Sequence, residues 1–475
     1  MINHKSLIAL AAATTVLAGC SLAPTYVRPT EAVPAALPQG GVYPAAATDA
    51  PDVSSIGWRE FFTDERLRHV IAQGLENNRD LRIAAANALQ ARERYRIQRA
   101  DRLPTINAGG SATFTDSPTS GSATGAIAGG GSKDLEIYSA DVGFSAFELD
   151  LFGRVRSLST AALEQYFATE EAQRTARISI IAEIATAWLT LAADQDQLQL
   201  SRETLRAFEQ TRALTQAQFR SGVVSELEAR QADTNYQAAR NDIAVLETRI
   251  AQDKNALDLL VGAPVSADLL PDGLGRGEAT LQNLPADLSS EVLLRRPDVL
   301  QAEHQLRSEN ANIGAARAAM FPTISLTAAF GTISTALSGL FDKGSFTYSA
   351  SPALSLPLFD SGRRRADVRL AEAAKKGAIA SYERAIQSAF REVADALAQR
   401  GTIDEQIAAQ TARTESALVA SRLSEARYRV GVDSFLVTLD AQRTAYASQQ
   451  QFVITRLGRA TNLVELYRSL GGGLK

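Results

Sequence analysis

Apolar and polar side chains alternate strictly through two stretches in the first third of the chain. Ile106, Ala108, Gly110, Ala112 and Phe114 stand between Thr105, Asn107, Gly109, Ser111 and Thr113, and Tyr138, Ala140, Val142, Phe144 and Ala146 alternate with residues such as Ser139, Asp141 and Ser145. The same pattern returns at Ile324, Leu326, Ala328 and Phe330 against Thr323, Ser325 and Thr327. It returns again at Phe346, Tyr348, Ala350, Leu354 and Leu356 against Thr347, Ser349, Ser351 and Ser355. Period two gives each strand one greasy and one hydroxyl-bearing face. Strands of about ten residues patterned in this way predict a transmembrane barrel wall, with lipid on one side and water on the other. A half-buried soluble sheet shares the pattern and is the alternative. Four strands cannot close a barrel, because lipid does not tolerate unpaired edges and barrels need at least about eight strands. The wall is therefore expected to be shared between chains.

Each strand pair follows a helical pattern, Leu81 to Arg102 and Val299 to Met320. Pro104 and Pro322 halt these patterns, since proline lacks the amide hydrogen and its ring clashes with the preceding turn. After each second strand runs a proline-free helical stretch, Arg154 to Ser221 and Arg363 to Val430. At 1.5 Å per residue each is roughly 100 Å long, beyond the reach of any single core. Gly222 and Gly431 end them in short turns, and return helices Val223 to Val261 and Val432 to Leu470 are expected to run back as antiparallel coiled coils. The expected seam sets Leu198, Leu205 and Leu214 against Leu227, Leu246 and Leu257. Gly377 and Gly401 should weaken the second long helix by about 1 kcal/mol each relative to Ala.

The two sets of elements are copies of one another. Leu103-Pro104-Thr105-Ile106 recurs as Phe321-Pro322-Thr323-Ile324, and Leu151-Phe152-Gly153-Arg154 as Leu358-Phe359-Asp360-Ser361-Gly362-Arg363. Phe219-Arg220-Ser221-Gly222-Val223 recurs as Tyr428-Arg429-Val430-Gly431-Val432, and Leu257 to Gly262 as Leu466 to Gly471. Copy one carries an extra Ser-, Gly- and Thr-rich stretch, Asp116 to Ser132, which reads as a long exposed loop. The expected organisation is a leader over residues 1–19 and an extended Ala- and Pro-rich tail over 20–60. Repeat one over 61–262, a connector over 263–297 and repeat two over 298–475 follow. The fold class is a mixed α/β membrane protein, with four transmembrane strands per chain and long antiparallel helical hairpins.

Lys5 and the apolar run Leu7 to Leu17, too short to span a bilayer, form a signal-peptide core. The run ends in Leu17-Ala18-Gly19-Cys20, small residues before the only cysteine in the chain, which resembles a bacterial lipobox. Cys20 then becomes an acylated N-terminus, held stably by two or three chains. A free thiol is the alternative. Ser21 follows, where the lipoprotein pattern puts Asp for inner-membrane retention, so the pattern implies delivery to the outer membrane.

Charge and chemistry narrow the field further. With 49 basic and 53 acidic residues nearly balanced, no concentrated basic face points to nucleic acid. Of His4, His69 and His304, the first leaves with the leader, and Glu303-His304 lacks the second histidine of a zincin site. His304 reads as a solvated or pairing side chain. The glycines from Gly125 to Gly131 lead into Ser132-Lys133-Asp134 and a strand, so no phosphate-binding loop forms. No nucleophile elbow is present. The expectation is a protein without enzymatic activity, metal or cofactor.

At this point the residues resemble the TolC-type outer-membrane efflux family, in particular its lipoprotein branch, often called the NodT or OprM type. The resemblance spans nearly the whole mature chain. It rests on Leu17-Ala-Gly-Cys20, Trp58-Arg-Glu-Phe-Phe-Thr-Asp64 leading to Asn77-Asn-Arg-Asp-Leu-Arg82, and Leu293-Leu-Arg-Arg-Pro-Asp298 with Ala302-Glu303. Ile313-Gly314 before Phe321-Pro322, and Tyr428-Arg-Val-Gly-Val432 before Leu439-Asp-Ala-Gln-Arg443, complete it. The resemblance implies a homotrimer with a shared twelve-stranded barrel. It also implies a periplasmic adaptor partner and an inner-membrane pump, typically of the proton-driven resistance-nodulation-division class. The implied activity is passive export of small toxic compounds across the outer membrane.

Leu436 and Asp440 stand four residues apart and so share a helix face. By resemblance they line a periplasmic constriction, where carboxylates repeated around an axis favour cations; a seam Leu and a surface Asp are the plainer reading. Copy one has Leu227 opposite Leu436 but Gln231 opposite Asp440, so an acidic ring has one carboxylate per chain. The turns bearing Arg220, Ser221, Gly222 and Val223, and Arg429, Val430, Gly431 and Val432, are the natural adaptor contacts, though tight turns need only their glycines. Export of protein or metal is a second reading within transport, and the absence of a His- or Met-rich tract weighs against metal. A coiled-coil structural lipoprotein without a pore is a third, against which the amphipathic strands speak.

Overall fold

The computed structural model describes residues 21–29, 32–44, 56–115, 135–275, 279–281 and 290–472. The leader, Cys20 and the Asp116 to Ser132 loop lie outside the described residues. In chain order the elements are α1 (Trp58–Phe61), α2 (Glu65–Asn77), α3 (Arg79–Ala100), β1 (Asn107–Thr115), β2 (Leu135–Glu148), α4 (Arg154–Arg220) and α5 (Glu226–Val261). They continue with α6 (Pro297–Ala318), β3 (Thr323–Ser334), β4 (Phe346–Ser355), α7 (Arg363–Arg429) and α8 (Phe435–Ser469). Both long helices, α4 and α7, run for 67 residues. The chain forms two compact units, residues 1–28, 89–168 and 303–380, and residues 29–88, 169–302 and 381–475. Each unit draws on both repeats.

The first unit holds a four-stranded antiparallel sheet in the order β1-β2-β3-β4. Directly opposed residues share a face. Ala108, Val142, Phe330 and Tyr348 form one row across it, with Gly110, Ala140, Thr332 and Phe346 beside them. On the other face Gly109, Asp141, Gly331 and Thr347 line up, and the hydroxyls of Ser111 and Ser139 hydrogen-bond at 2.8 Å. The alternation in the sequence therefore gives one mainly apolar face, interrupted by Thr332, and one mainly polar face. Two glycines allow β2 and β3 to lie close. A Cβ on Gly143 would sit 2.3 Å from the Ala328 carbonyl oxygen, and one on Gly331 2.2 Å from that of Ala140.

One expectation fails in β2. Ala146 does not continue the apolar row, because a bulge between Phe144 and Phe147 inserts an extra residue and brings Phe147 opposite Leu326. Ala146 takes φ 53°, and its amide donates to Thr327 Oγ1 at 3.0 Å. A period-two reading has no means of registering one inserted residue.

Below the sheet, helix starts are written locally. The Asp150 carboxylate accepts from the amides of Val155 and Arg156 at 3.1 and 2.7 Å, and Asp360 does the same for Gly362 and Arg364 at 2.9 and 3.2 Å. These acceptors satisfy first-turn donors of α4 and α7. The Phe152 ring stacks on Phe321 with centroids 4.7 Å apart. The tail docks along α6. Ala23 packs against Gly314, Asn310 donates to the Pro24 carbonyl at 2.8 Å, and Arg28 grips Glu303 at 2.7 and 3.1 Å. Glu303 is buried at 2% exposure and is also met by Tyr26 and Arg307.

In the second unit the Trp58-Arg-Glu-Phe-Phe motif forms a core corner. Phe61 stacks on Tyr467 at 3.9 Å, and the Tyr467 hydroxyl donates to the Ile56 carbonyl at 2.8 Å. Asp64 caps α2 through the amides of Arg66 and Leu67. Asn78 accepts from Leu81 N at 2.9 Å and donates to the Leu260 carbonyl at 2.6 Å. The Arg296 of the Leu-Leu-Arg-Arg-Pro-Asp motif is buried and anchors the connector. It donates to the Ser469 carbonyl at 2.7 Å and to the carboxylates of Asp298 and Glu392.

The helical hairpins also reside largely in this unit. α4 contains a stretch long and apolar enough to cross a membrane by composition, but 61% of it is buried inside the chain, as a core seam would be. In the second hairpin, Thr438 donates to the Ser424 carbonyl, Gln410 and Thr414 to that of Ser448, and Asn462 to that of Ala396. These bonds fix α7 and α8 as antiparallel neighbours. The first seam differs from expectation. Leu198, Leu246 and Leu257 are buried and Leu205 half-buried, but Leu214 and Leu227 are exposed. Near the turn, Phe208, Thr215, Ala229, Ala232 and Ala239 take the buried positions, because small residues let the helices approach and turn the leucines outward. Gly401 is likewise more than a weak point. A Cβ there would meet the Val42 carbonyl oxygen at 1.8 Å, so the tail backbone rests on it.

Candidate functional site at the hairpin turns

Both turns follow from glycine's access to left-handed backbone, Gly222 at φ 73° and Gly431 at φ 75°. Val223 N donates to the Gln218 carbonyl and Val432 N to that of Arg427, each at 2.9 Å, which satisfies the last helical acceptors. The return helices start after these turns, with Ser225 and Ser434 at the N-caps. The two turns share backbone but not chemistry. Arg427 holds Asp433 in a fork at 2.7 and 2.8 Å, and its guanidinium keeps that carboxyl below the usual range. Copy one has Gln218 and Val224 at the matching positions.

Tyr428 links the turns, donating to Gln218 Oε1 at 2.9 Å. Its ring packs on Phe435 at 5.4 Å, within a small cluster of Phe435, Leu439 and Ala232. Further up, Gln442 donates to Thr211 Oγ1 at 3.3 Å. The Tyr446 hydroxyl stands 2.8 Å from Ser201 Oγ and donates to Asp242 Oδ2 at 3.0 Å. Burial pushes the Tyr446 phenol up to about 12.

Leu436 is 61% exposed and Asp440 is exposed, on the face of α8 turned away from Phe435 and Leu439. No hydrogen bond or ion pair holds Asp440 among the described residues. Val223, Val430 and Val432 are also exposed, with Arg220, Ser221 and Arg429 around them. The two turns therefore present apolar and charged side chains that the chain itself does not cover. Tyr428 was read from sequence only as part of the turn motif, which says nothing of side-chain partners, and Gln218 and Tyr446 were not singled out. Among the described residues no group of three His, Cys, Asp or Glu side chains is placed to hold a metal. His304 pairs with Glu164 at 2.6 Å beside Phe167.

The family model described as Outer membrane efflux protein matches residues 70–263 and 288–472. The chain belongs to the outer membrane efflux protein family. Its relatives include the antibiotic efflux pump outer membrane protein ArpC and the toluene efflux pump outer membrane protein TtgC, both of Pseudomonas putida. Each is 44% identical over 471 residues, covering 99% of this chain and 96% of theirs. Among solved structures, the open state of the Neisseria gonorrhoeae MtrE outer membrane channel aligns with a TM-score of 0.85 at 36% identity, over 96% of this chain and 99% of that one. Membership identifies the protein as an outer-membrane efflux duct and gives the expected combination of long helical hairpins with amphipathic strands. It also decides between the barrel wall and the soluble sheet in favour of the wall.

Proposed function

We propose that this chain is the outer-membrane exit channel of a tripartite pump that expels small, apolar or amphiphilic toxic compounds, antibiotics and organic solvents among them. The observation that carries the reading is the mainly apolar face of a four-stranded sheet whose outer strands, β1 and β4, each leave one edge unpaired among the described residues. Such a sheet is stable in lipid only when other copies complete it, and three copies supply twelve strands. The homotrimer, the lipid on Cys20 and the partners, a periplasmic adaptor and a proton-driven inner-membrane pump, belong to the same proposal. Support for the anchor lies in the lipobox and in the tail that docks directly after it. Support for the adaptor lies in the uncovered turns around Gly222 and Gly431.

Leu436 and Asp440 are the proposed resting constriction. Both are exposed in the chain, so their replacement does not undermine its packing. Leu436→Ala with Asp440→Ala raises single-channel conductance in planar bilayers; unchanged conductance from a correctly assembled protein removes these residues from the gate. The function as a whole is tested by deletion followed by a panel of antibiotics, dyes, detergents, solvents and metals. Sensitisation to the organic compounds supports the proposal, and sensitisation to metals alone replaces it with metal efflux.

A further inference from the structure

The two hairpins bury different chemistry at the same pseudo-equivalent place. In repeat two, Ile403 on α7 and Asn462 on α8 are both buried at 2% exposure, and the Asn462 amide donates to the Ala396 carbonyl and to Gln399. In repeat one the corresponding positions, 209 residues earlier, are Asp194 on α4 and Asp253 on α5. Asp194 is 4% exposed, and the Oδ2 atoms of both aspartates are buried without a hydrogen-bond donor. Ionised carboxylates only accept, so two of them together leave both oxygens unsatisfied and repel. One proton between them turns an acceptor into a donor and removes one charge.

The surrounding groups do not relieve this otherwise. Arg249, one turn before Asp253 on α5, reaches Asp194 Oδ1 only at 3.6 Å and is half exposed. Lys254 is turned to Asp258 at 2.9 Å, and Asp196 to Arg456 and the amide of Leu274.

We infer that Asp194 and Asp253 form an acid-strengthened latch on the first helical hairpin, closed by a shared proton and loosened when both carboxyls ionise. The second hairpin, built on Ile403 and Asn462, has no such sensitivity. Burial, then the charge and hydrogen bond of Asp194, lift the Asp253 carboxyl to about 6, while Arg249 opposes. The proton belongs to the pair. A carboxyl raised above its unfolded value near 3.9 contributes stability that is full below that value and lost as pH rises through about 6. Between about pH 7.5 and about pH 5 the equilibrium for local opening of this seam therefore falls about tenfold.

Hydrogen exchange on the purified full-length protein in neutral detergent, at those two pH values and corrected for intrinsic rates, tests the latch. Residues 246–258 should gain about tenfold protection at the acid value, and residues 455–467 of α8 should not. Asp253→Asn should abolish the difference by supplying a permanent amide donor. Asp194→Asn should do the same from the other side, so the test survives the loss of either variant. Equal protection of residues 246–258 at both pH values, or a full acid gain retained in an Asn variant, overturns the inference. An equal gain in both hairpins also overturns it, since the cause would then be global.

Discussion

Tyr446 joins three helices of both repeats, and its removal gives a measurable prediction about how the hairpins separate. Tyr446→Phe deletes only the hydroxyl, leaving the ring in edge contact with Phe208 at 6.4 Å. Ser201, fully buried on α4, can turn its hydroxyl to a carbonyl of its own helix, so it contributes little to the cost. Asp242 on α5 loses a donor to a carboxylate, a bond worth about 1.5 kcal/mol at the lower end of the charged range, which suits a half-buried group. That is about tenfold in the population of separated hairpins. The assay is opening probability in planar bilayers, with the thermal midpoint of the same preparation as control. The expected outcome is about tenfold more opening with a small loss in midpoint. A variant with the lost midpoint and unaltered opening would show that this contact is structural only.

Other consequences follow from particular contacts. Gly143→Val and Gly331→Val each force a side chain into the backbone of the neighbouring strand, so both should block insertion of the sheet into lipid vesicles while the helical circular dichroism persists. Burial pushes the Glu303 carboxyl up, but hydrogen bonding from Arg28 and the charges of Arg307 and Arg28 outweigh it and hold it below the ordinary range. A lowered carboxyl gives stability present above its unfolded value and lost as pH falls through the folded one. The tail should therefore stay docked at neutral pH and become open to protease only in acid below the ordinary glutamate range. Arg28→Ala should expose the tail to protease already at neutral pH.

Much of this architecture was legible in the sequence because its causes are local. Proline and glycine punctuation marks the helix ends, the repeated motifs mark the two copies, and alternation gives the two faces of the sheet. What escaped depends on residues far apart in the chain. Gly401 looks like a helix defect until the tail is seen to rest on it, and Gly314 gives no sign in the sequence that Ala23 packs there. Leu214 and Leu227 look like seam residues until the alanines beside them draw the helices together. The bulge at Ala146 leaves no periodic trace at all. At the turns the exposed residues were readable from the repeat, whereas the partners Tyr428 with Gln218 and Tyr446 with Asp242 join different repeats and carry no local pattern.

As an efflux duct, this chain is expected to build a water-filled path through the outer membrane. Single-channel recording of the purified protein in planar bilayers addresses it most directly. Discrete, stable conductance steps are expected, with a preference for cations that Asp440→Asn reduces. Purified protein that inserts into the bilayer and gives no steps would contradict it.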